Sequence, residues 1–251
     1  MRAPQAESTR GTRRRSLPQS QRSIVALCAS TLLATSVLAS VNAHAQIRRP
    51  IETGPSYGWW LSGGVAAVSI TDITDGASNS SWHFGPDPLW QYRATLEKAL
   101  DEFTTLGIAA GYGQANVVLT SIAAGTNTRL PSTCQVTCAA TTELWTGMVQ
   151  FRSGGGPGFH TLFEASGGGT AFRGFKTKDD AIAIPGIKNS FDISGTLAAG
   201  FGYPLSRSMV ISLVQDFGIG FHTKTDLPEG TGRSWRMRNT RAALRFKFGG
   251  R

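Results

Sequence analysis

The sequence predicts an all-β chain: eight antiparallel strands running up and down and closed into a transmembrane β-barrel. Three observations predict it. Segment after segment alternates apolar and polar side chains with period two, the periodicity of a strand. Several segments exceed the roughly 5–6 residues usual in soluble strands and reach the roughly 9–11 that cross a bilayer at a tilt. The connections alternate short and long, so in an up-and-down barrel all long loops fall at one end and all short turns at the other.

The first 45 residues stand apart. Arg2, Arg10, Arg13, Arg14, Arg15 and Arg22 precede an apolar stretch over 24–41, which ends in Ala43-His44-Ala45. That is the order of a secretory signal peptide: basic, apolar, then a small-x-small cleavage site. Cys28 follows Leu27 rather than a small residue, so it reads as part of the apolar stretch and not as a lipidation site. The sequence thus divides into a signal peptide over 1–45, an N-terminal periplasmic segment over 46–56 and a barrel over 57–251. Cleavage removes six Arg and one Glu, and the net charge falls from +9 to +4. The basic balance is therefore mostly leader, and it does not point to nucleic acid.

Composition bounds the rest. Charged residues are 16% of the 251, and apolar residues are 40%. Leu, Ile, Val and Phe are too frequent for a disordered chain. Beyond the leader no run of about 18 apolar residues occurs, which excludes a helical membrane protein.

The strands are expected near 57–70, 90–100, 104–119, 141–152, 158–172, 190–204, 209–223 and 234–248. The clearest is 190–204, where Phe191, Ile193, Leu197, Phe201 and Tyr203 alternate with Asp192, Ser194, Thr196 and Gly200. Over 209–223, Leu213, Phe217 and Ile219 alternate with Ser212, Asp216 and Gly218, and a short turn near 204–208 makes the two a hairpin. Short turns also fall at 101–103 and at 153–157, the latter carrying Gly154, Gly155 and Gly156. The long connections are 71–89, 120–140, 173–189 and 224–233. Gly167-Gly168-Gly169 interrupts a strand and suggests a bulge or bend.

Energy decides which face meets lipid. An Arg or Lys facing lipid at the midplane costs about 2–4 kcal/mol. Arg93, Glu97, Arg152, Glu164, Asp192, Asp216, Arg241 and Arg245 lie within the expected strands. Turned outward together they would exceed a typical stability of about 5–15 kcal/mol. They are expected in the lumen as a mutually paired network of four bases and four acids, with Asp216 opposite Arg241. Gly107, Gly111, Gly113, Gly200, Gly202, Gly218 and Gly220 share the lumen, which suits a narrow, filled barrel rather than a general porin. Phe191, Leu197, Phe201, Leu213, Phe217, Ile219, Leu244 and Phe246 then face lipid. Trp59, Trp60, Trp90, Tyr92, Trp145, Tyr203 and Trp235 fall near strand ends, where interfacial girdles belong.

In this architecture the chain resembles the small eight-stranded outer-membrane β-barrel families over the whole region after the leader. The segment Ala242-Ala243-Leu244-Arg245-Phe246-Lys247-Phe248 is similar to their C-terminal assembly signal, although Gly249-Gly250-Arg251 follow its last aromatic. The resemblance implies an outer-membrane location and recognition by the barrel assembly machinery.

Candidate chemistry is sparse. Cys134 and Cys138 sit in a long loop of an exported chain, where a disulfide is favoured. His160, Glu164 and Ser166 share a strand face, but His160 and Ser166 would lie about 20 Å apart along it. A nucleophile and its base need about 2.6–3.2 Å, so a hydrolase would require a partner from another strand. Arg233, Arg236 and Arg238 at the last loop and strand could meet lipopolysaccharide phosphates. No cofactor is implied. The expected function is a non-catalytic outer-membrane barrel serving envelope integrity, surface interaction or small-solute passage. One alternative is a barrel enzyme acting on envelope lipids, favoured if His83, His160 or His222 lies beside a Ser and a carboxylate. The other is a soluble periplasmic lipocalin-like binder, suggested by Gly58-Trp59-Trp60 at the first strand, with its apolar face turned inward.

Overall fold

A computed structural model describes residues 58–121, 137–223, 226 and 232–249. Ten strands occur among them: β1 (Trp59–Ile70), β2 (Ile73–Asp75), β3 (Ser80–Phe84), β4 (Leu89–Ala99), β5 (Thr104–Ser121), β6 (Thr137–Ser153), β7 (His160–Thr177), β8 (Ser190–Ser206), β9 (Met209–Phe221) and β10 (Ser234–Phe248). Eight of them form the wall, in the order β1-β4-β5-β6-β7-β8-β9-β10, and β10 pairs back to β1. Every pairing is antiparallel. The fold is a closed eight-stranded β-barrel, as the sequence predicts. The remaining two strands make a hairpin within the 71–89 connection, laid on the outer end of β5.

Register fixes the tilt. Following paired residues around the wall leads from Arg236 through Ile219, Gly195, Gly167, Val149, Ile108, Leu96 and Leu61 to Phe246, ten residues further along β10. A stagger of this kind obliges the strands to lean relative to the barrel axis.

The outward face is apolar across the middle of the wall. Leu61, Ile108, Val149, Leu197, Leu213, Phe217 and Phe246 are exposed there. Trp59, Phe159, Tyr203 and Phe248 ring the end with short turns, and Trp90, Tyr92, Tyr112 and Trp145 ring the other side. The inward face carries Arg93, Glu97, Arg152, Glu164 and Arg241, all buried. A lipocalin-like reading needs the opposite polarity, so this arrangement excludes it.

Several expectations require correction. Trp60 and Trp235 are not girdle residues: both occupy inward positions, Trp60 against Arg245 and Trp235 fully buried. Strand parity fixes this, whatever their nearness to a strand end. β6 begins at Thr137 and β7 continues to Thr177, so the outer loops are shorter than 120–140 and 173–189. Gly167–Gly169 carries no bulge. The register shift lies between Thr141 and Glu143, while Gly168 closes against the Gly147 and Met148 backbone and Gly169 makes room for the Phe191 ring. The glycine turn before β7 is as expected, with Gly154, Gly156 and Gly158 all at positive φ.

Candidate functional site

The lumen is filled in two tiers, and each charged residue expected there can be placed. In the inner tier Glu164 is ion-paired with two guanidinium groups. Arg152 Nη1 lies 3.3 Å from its Oε1, and Arg241 Nη2 donates to its Oε2. Arg241 also reaches Asp216, at 3.3 Å from Oδ1 and 3.4 Å from Oδ2. Arg245 donates to Glu97, which also accepts from Thr95 at 3.0 Å and from Thr105. Arg93 has no carboxylate in contact among the described residues and donates to Gln150 Oε1 at 2.6 Å. The Arg245 guanidinium lies 4.5 Å from the Trp60 ring centroid.

The Asp216–Arg241 pair forms, but not by direct opposition. Arg241 stands opposite Val214 and Asp216 opposite Asn239, so the side chains meet on a diagonal. The balance is also not four against four. Asp192 lies outside this tier, which leaves four arginines with three carboxylates. Burying a charge costs several kcal/mol unless it is paired, and the shared carboxylate Glu164 offsets that cost for two arginines at once.

Above this lies an apolar tier. Trp82, Phe172, Phe175, Trp235, Leu119 and Met237 pack together inside the outer half of the wall. Trp82 meets Phe172 edge-on at 5.6 Å, and Phe172 meets Trp235 at 5.8 Å. Between the tiers is a gap of about 10 Å³, lined by Arg93, Gln91, Met148 and Trp235 among others. That is room for about one water molecule.

The β2–β3 hairpin closes the outer mouth through a buried polar chain that sequence reasoning missed. His222 Nδ1 lies 2.9 Å from Asp192 Oδ1, and its Nε2 lies 3.4 Å from Asp75 Oδ1 on the hairpin. Trp235 Nε1 donates to Asp192 at 2.7 Å. Ser78 donates to Asp75, and Trp82 Nε1 donates to Ser80 Oγ at 3.0 Å. His222 follows the last residue of β9 and Asp75 lies on the hairpin, so both stand outside the wall strands. Burial alone would lower the His222 pKa, but bonds to Asp192 and Asp75 outweigh it and push it up to about 9. Burial would raise Asp75, but His222 and Ser78 hold its carboxyl below the ordinary value. The mouth is thus an Asp–imidazolium–Asp clamp at neutral pH. Inward parity at 192 and 222 was the available sequence signal; the partner on a distant loop was not readable.

The histidines bear on catalysis. His222 does lie beside carboxylates and near Ser78, but Ser78 spends its hydroxyl on Asp75 and bonds with Ser80 at 2.6 Å. His83 contacts Asp72 at 2.7 Å and Thr120 at 2.9 Å. His160 contacts the Gly158 carbonyl, and Ser166 bonds Thr196 at 3.0 Å. None of these arrangements sets a serine hydroxyl on a histidine nitrogen.

Arg233, Arg236 and Arg238 are exposed on the outside near the outer rim. Arg238 lies over the Phe217 ring at 5.4 Å and Arg233 over Phe221 at 5.7 Å. Cys138, near the start of β6, is disulfide-bonded, and Cys134 lies outside the described residues.

Fold and site together define a transmembrane β-barrel with a filled lumen. No protein-family model matches the sequence, and no curated protein matches it. Among solved structures the chain is similar to Neisserial surface protein A, with 13% identity over 78% of this chain and 99% of that one, at a TM-score of 0.46. It is also similar to the outer membrane protein OprG from Pseudomonas aeruginosa, with 14% identity, 78% and 98% coverage and a TM-score of 0.40. A third match is Ail, the attachment invasion locus protein of Yersinia pestis, in complex with the heparin analogue sucrose octasulfate. It has 7% identity, 77% and 99% coverage and a TM-score of 0.42. The likeness is one of fold.

Proposed function

We infer that this chain is an integral outer-membrane barrel without catalytic action, whose work is surface interaction rather than solute passage. One observation carries the reading: the lumen is plugged by an ionic tier and then an apolar tier, while the wall continues well past the apolar belt. β5 and β7 have 18 residues each, against the roughly 9–11 needed to span. The surplus is a rigid platform for the outer connections, where binding residues commonly reside. Its partners in the envelope are outer-membrane lipid and lipopolysaccharide, met by Arg233, Arg236 and Arg238. The closing strand β10, ending at Phe248, is the segment offered to the barrel assembly machinery. A leader cleaved near Ala45 delivers the chain to that machinery.

The test has two parts. In planar bilayers the purified barrel should show no steady conductance; a stable open channel overturns the closed-lumen reading. In cells, a variant whose outer connections are replaced by short Gly-Ser turns should lose surface adhesion while keeping wild-type resistance to detergent. Lost resistance with adhesion intact would assign the function to envelope integrity instead.

A further inference from the structure

The lipid-facing wall is not uniformly convex. A groove of about 690 Å³ crosses it on the side formed by β5 to β10. Its floor is made by residues with little or no side chain, Gly167 on β7 and Gly195 on β8, and its walls include Phe151, Leu197, Phe217 and Ile219. A Cβ added at Gly167 would meet nothing within 4 Å, so the depression is open to the outside there.

The groove follows the paired-residue line that descends around the barrel. Arg236 stands opposite Ile219, which stands opposite Gly195, then Gly167, then Val149, and Leu106 lines the far end on β5. Five strand steps at roughly 4.8 Å span about 24 Å, the scale of an extended acyl chain. The line leans because the strands lean, so it begins at the outer rim and slants toward the middle of the apolar belt. Its upper end is basic. Arg236 lines the groove, is exposed, and has no ion pair among the described residues. Its outward neighbours Arg233 and Arg238 are held over Phe221 and Phe217. The outward positions of β9 and β10 contain no Asp or Glu. An unpaired guanidinium at the interface above an apolar channel matches an anionic headgroup above a hydrocarbon chain. Guanidinium groups also suit phosphate by geometry.

We propose that this groove is a specific site for a phosphate-bearing lipid of the outer leaflet, with the phosphate on Arg236 and one acyl chain lying across Gly195 and Gly167. The occupant is lipid A: its phosphate meets Arg236 at the polar end of the groove, and one of its acyl chains fills the apolar length. The proposal rests on the reading of this chain as an outer-membrane barrel, and the experiment separates the two.

The barrel, refolded in a neutral detergent, is titrated with lipid A and followed by native mass spectrometry. Folding is checked on each sample by the heat-dependent shift on SDS gels. Wild type should take up one lipid in preference to further adducts. Arg236→Ala removes the cation, and Gly167→Phe fills the channel; each should weaken that first adduct at least tenfold. Dephosphorylated lipid A should bind wild type as weakly as lipid A binds R236A. The control is Gly63→Phe on β1, also outward with nothing within 4 Å of an added Cβ but away from the groove. It should bind as wild type does. Equal binding by wild type, R236A and G167F overturns the site while the heat shift leaves the barrel standing. Loss of the heat shift in wild type overturns the barrel reading itself.

Discussion

Glu164 is the residue on which the inner tier should depend most. It is ion-paired with both Arg152 and Arg241, and all three side chains are almost wholly buried. In Glu164→Gln, Arg241 keeps Asp216, but Arg152 loses its ion pair among the described residues. Stranding a buried charge in this way costs about 3–5 kcal/mol. In Asp216→Asn, Arg241 keeps Glu164, so the loss is that of a charge-assisted hydrogen bond, about 1.5–3 kcal/mol. The double variant strands Arg241 as well. Its cost should exceed the sum of the singles, by about 0.5–3 kcal/mol for groups in one network. The stranded cation can also be removed: Glu164→Met with Arg152→Met should recover much of the loss, because well-packed apolar replacements of buried ion pairs are often neutral. The assay is urea unfolding of the barrel in short-chain phosphatidylcholine vesicles, read by fluorescence of its six tryptophans. The order of midpoints should be wild type, D216N, E164Q, then the double variant. An Asp216→Asn loss equal to or larger than that of Glu164→Gln would refute the argument from shared pairing.

Three further outcomes follow from other parts of the barrel. The His222 clamp should make the outer mouth pH-dependent: its pKa is about 9 when folded against 6.5 ordinarily, so its contribution is fully present below about 6.5 and lost as pH rises through 9. That shift corresponds to at most about 3 kcal/mol. Hydrogen exchange over residues 73–84 should therefore quicken between pH 8 and 10 (roughly one unit either side of that value) in wild type, and His222→Gln should abolish the change; unchanged wild-type exchange would refute the clamp. Phe172→Ala in the apolar tier should cost about 3–5 kcal/mol in the same urea assay. Gly220→Val should fail to fold, because its Cβ would lie 2.2 Å from the Trp235 ring, whereas Gly63→Val should fold normally; the heat-dependent gel shift distinguishes them.

The wall was legible in the sequence because parity is local. Each of Phe191, Leu197, Leu213 and Phe217 needs only its neighbours in sequence to declare an outward side chain, and each is exposed. Parity also sets Trp60 and Trp235 inside, and it outweighs their nearness to a strand end. What was not legible depends on closure. Arg241 on β10 meets Glu164 on β7, across the lumen rather than along a hairpin, and that contact follows only from the stagger and the width of the finished barrel. Asp192 looked like one more luminal acid, because nothing in its own strand reveals that His222 and a hairpin ending in Asp75 would come to it.

The same strands carry the reason for two tiers. Along β5 the outward residues run Leu106, Ile108, Ala110 and Tyr112, then Gln114 and Asn116, with Val118 alone apolar beyond them in the strand. Over the same interval the inward residues turn from Thr105 and Gly107 to Val117 and Leu119. On β10 the outward run Phe246, Leu244 and Ala242 gives way to Thr240, Arg238 and Arg236, while inside Arg245 and Arg241 give way to Met237 and Trp235. One face loses its apolar character where the other gains it. A wall in lipid must be apolar outside and can hold charge within only by pairing it. A wall in water gains by burying apolar groups within, as a soluble domain does. The inversion therefore marks the outer membrane boundary within single strands. The outer ends of β5 and β10 and the β2–β3 hairpin lie above it, around a core of their own. A barrel that served only to span the bilayer would have no use for that second core, which is why the part above the inversion is where its activity should be sought.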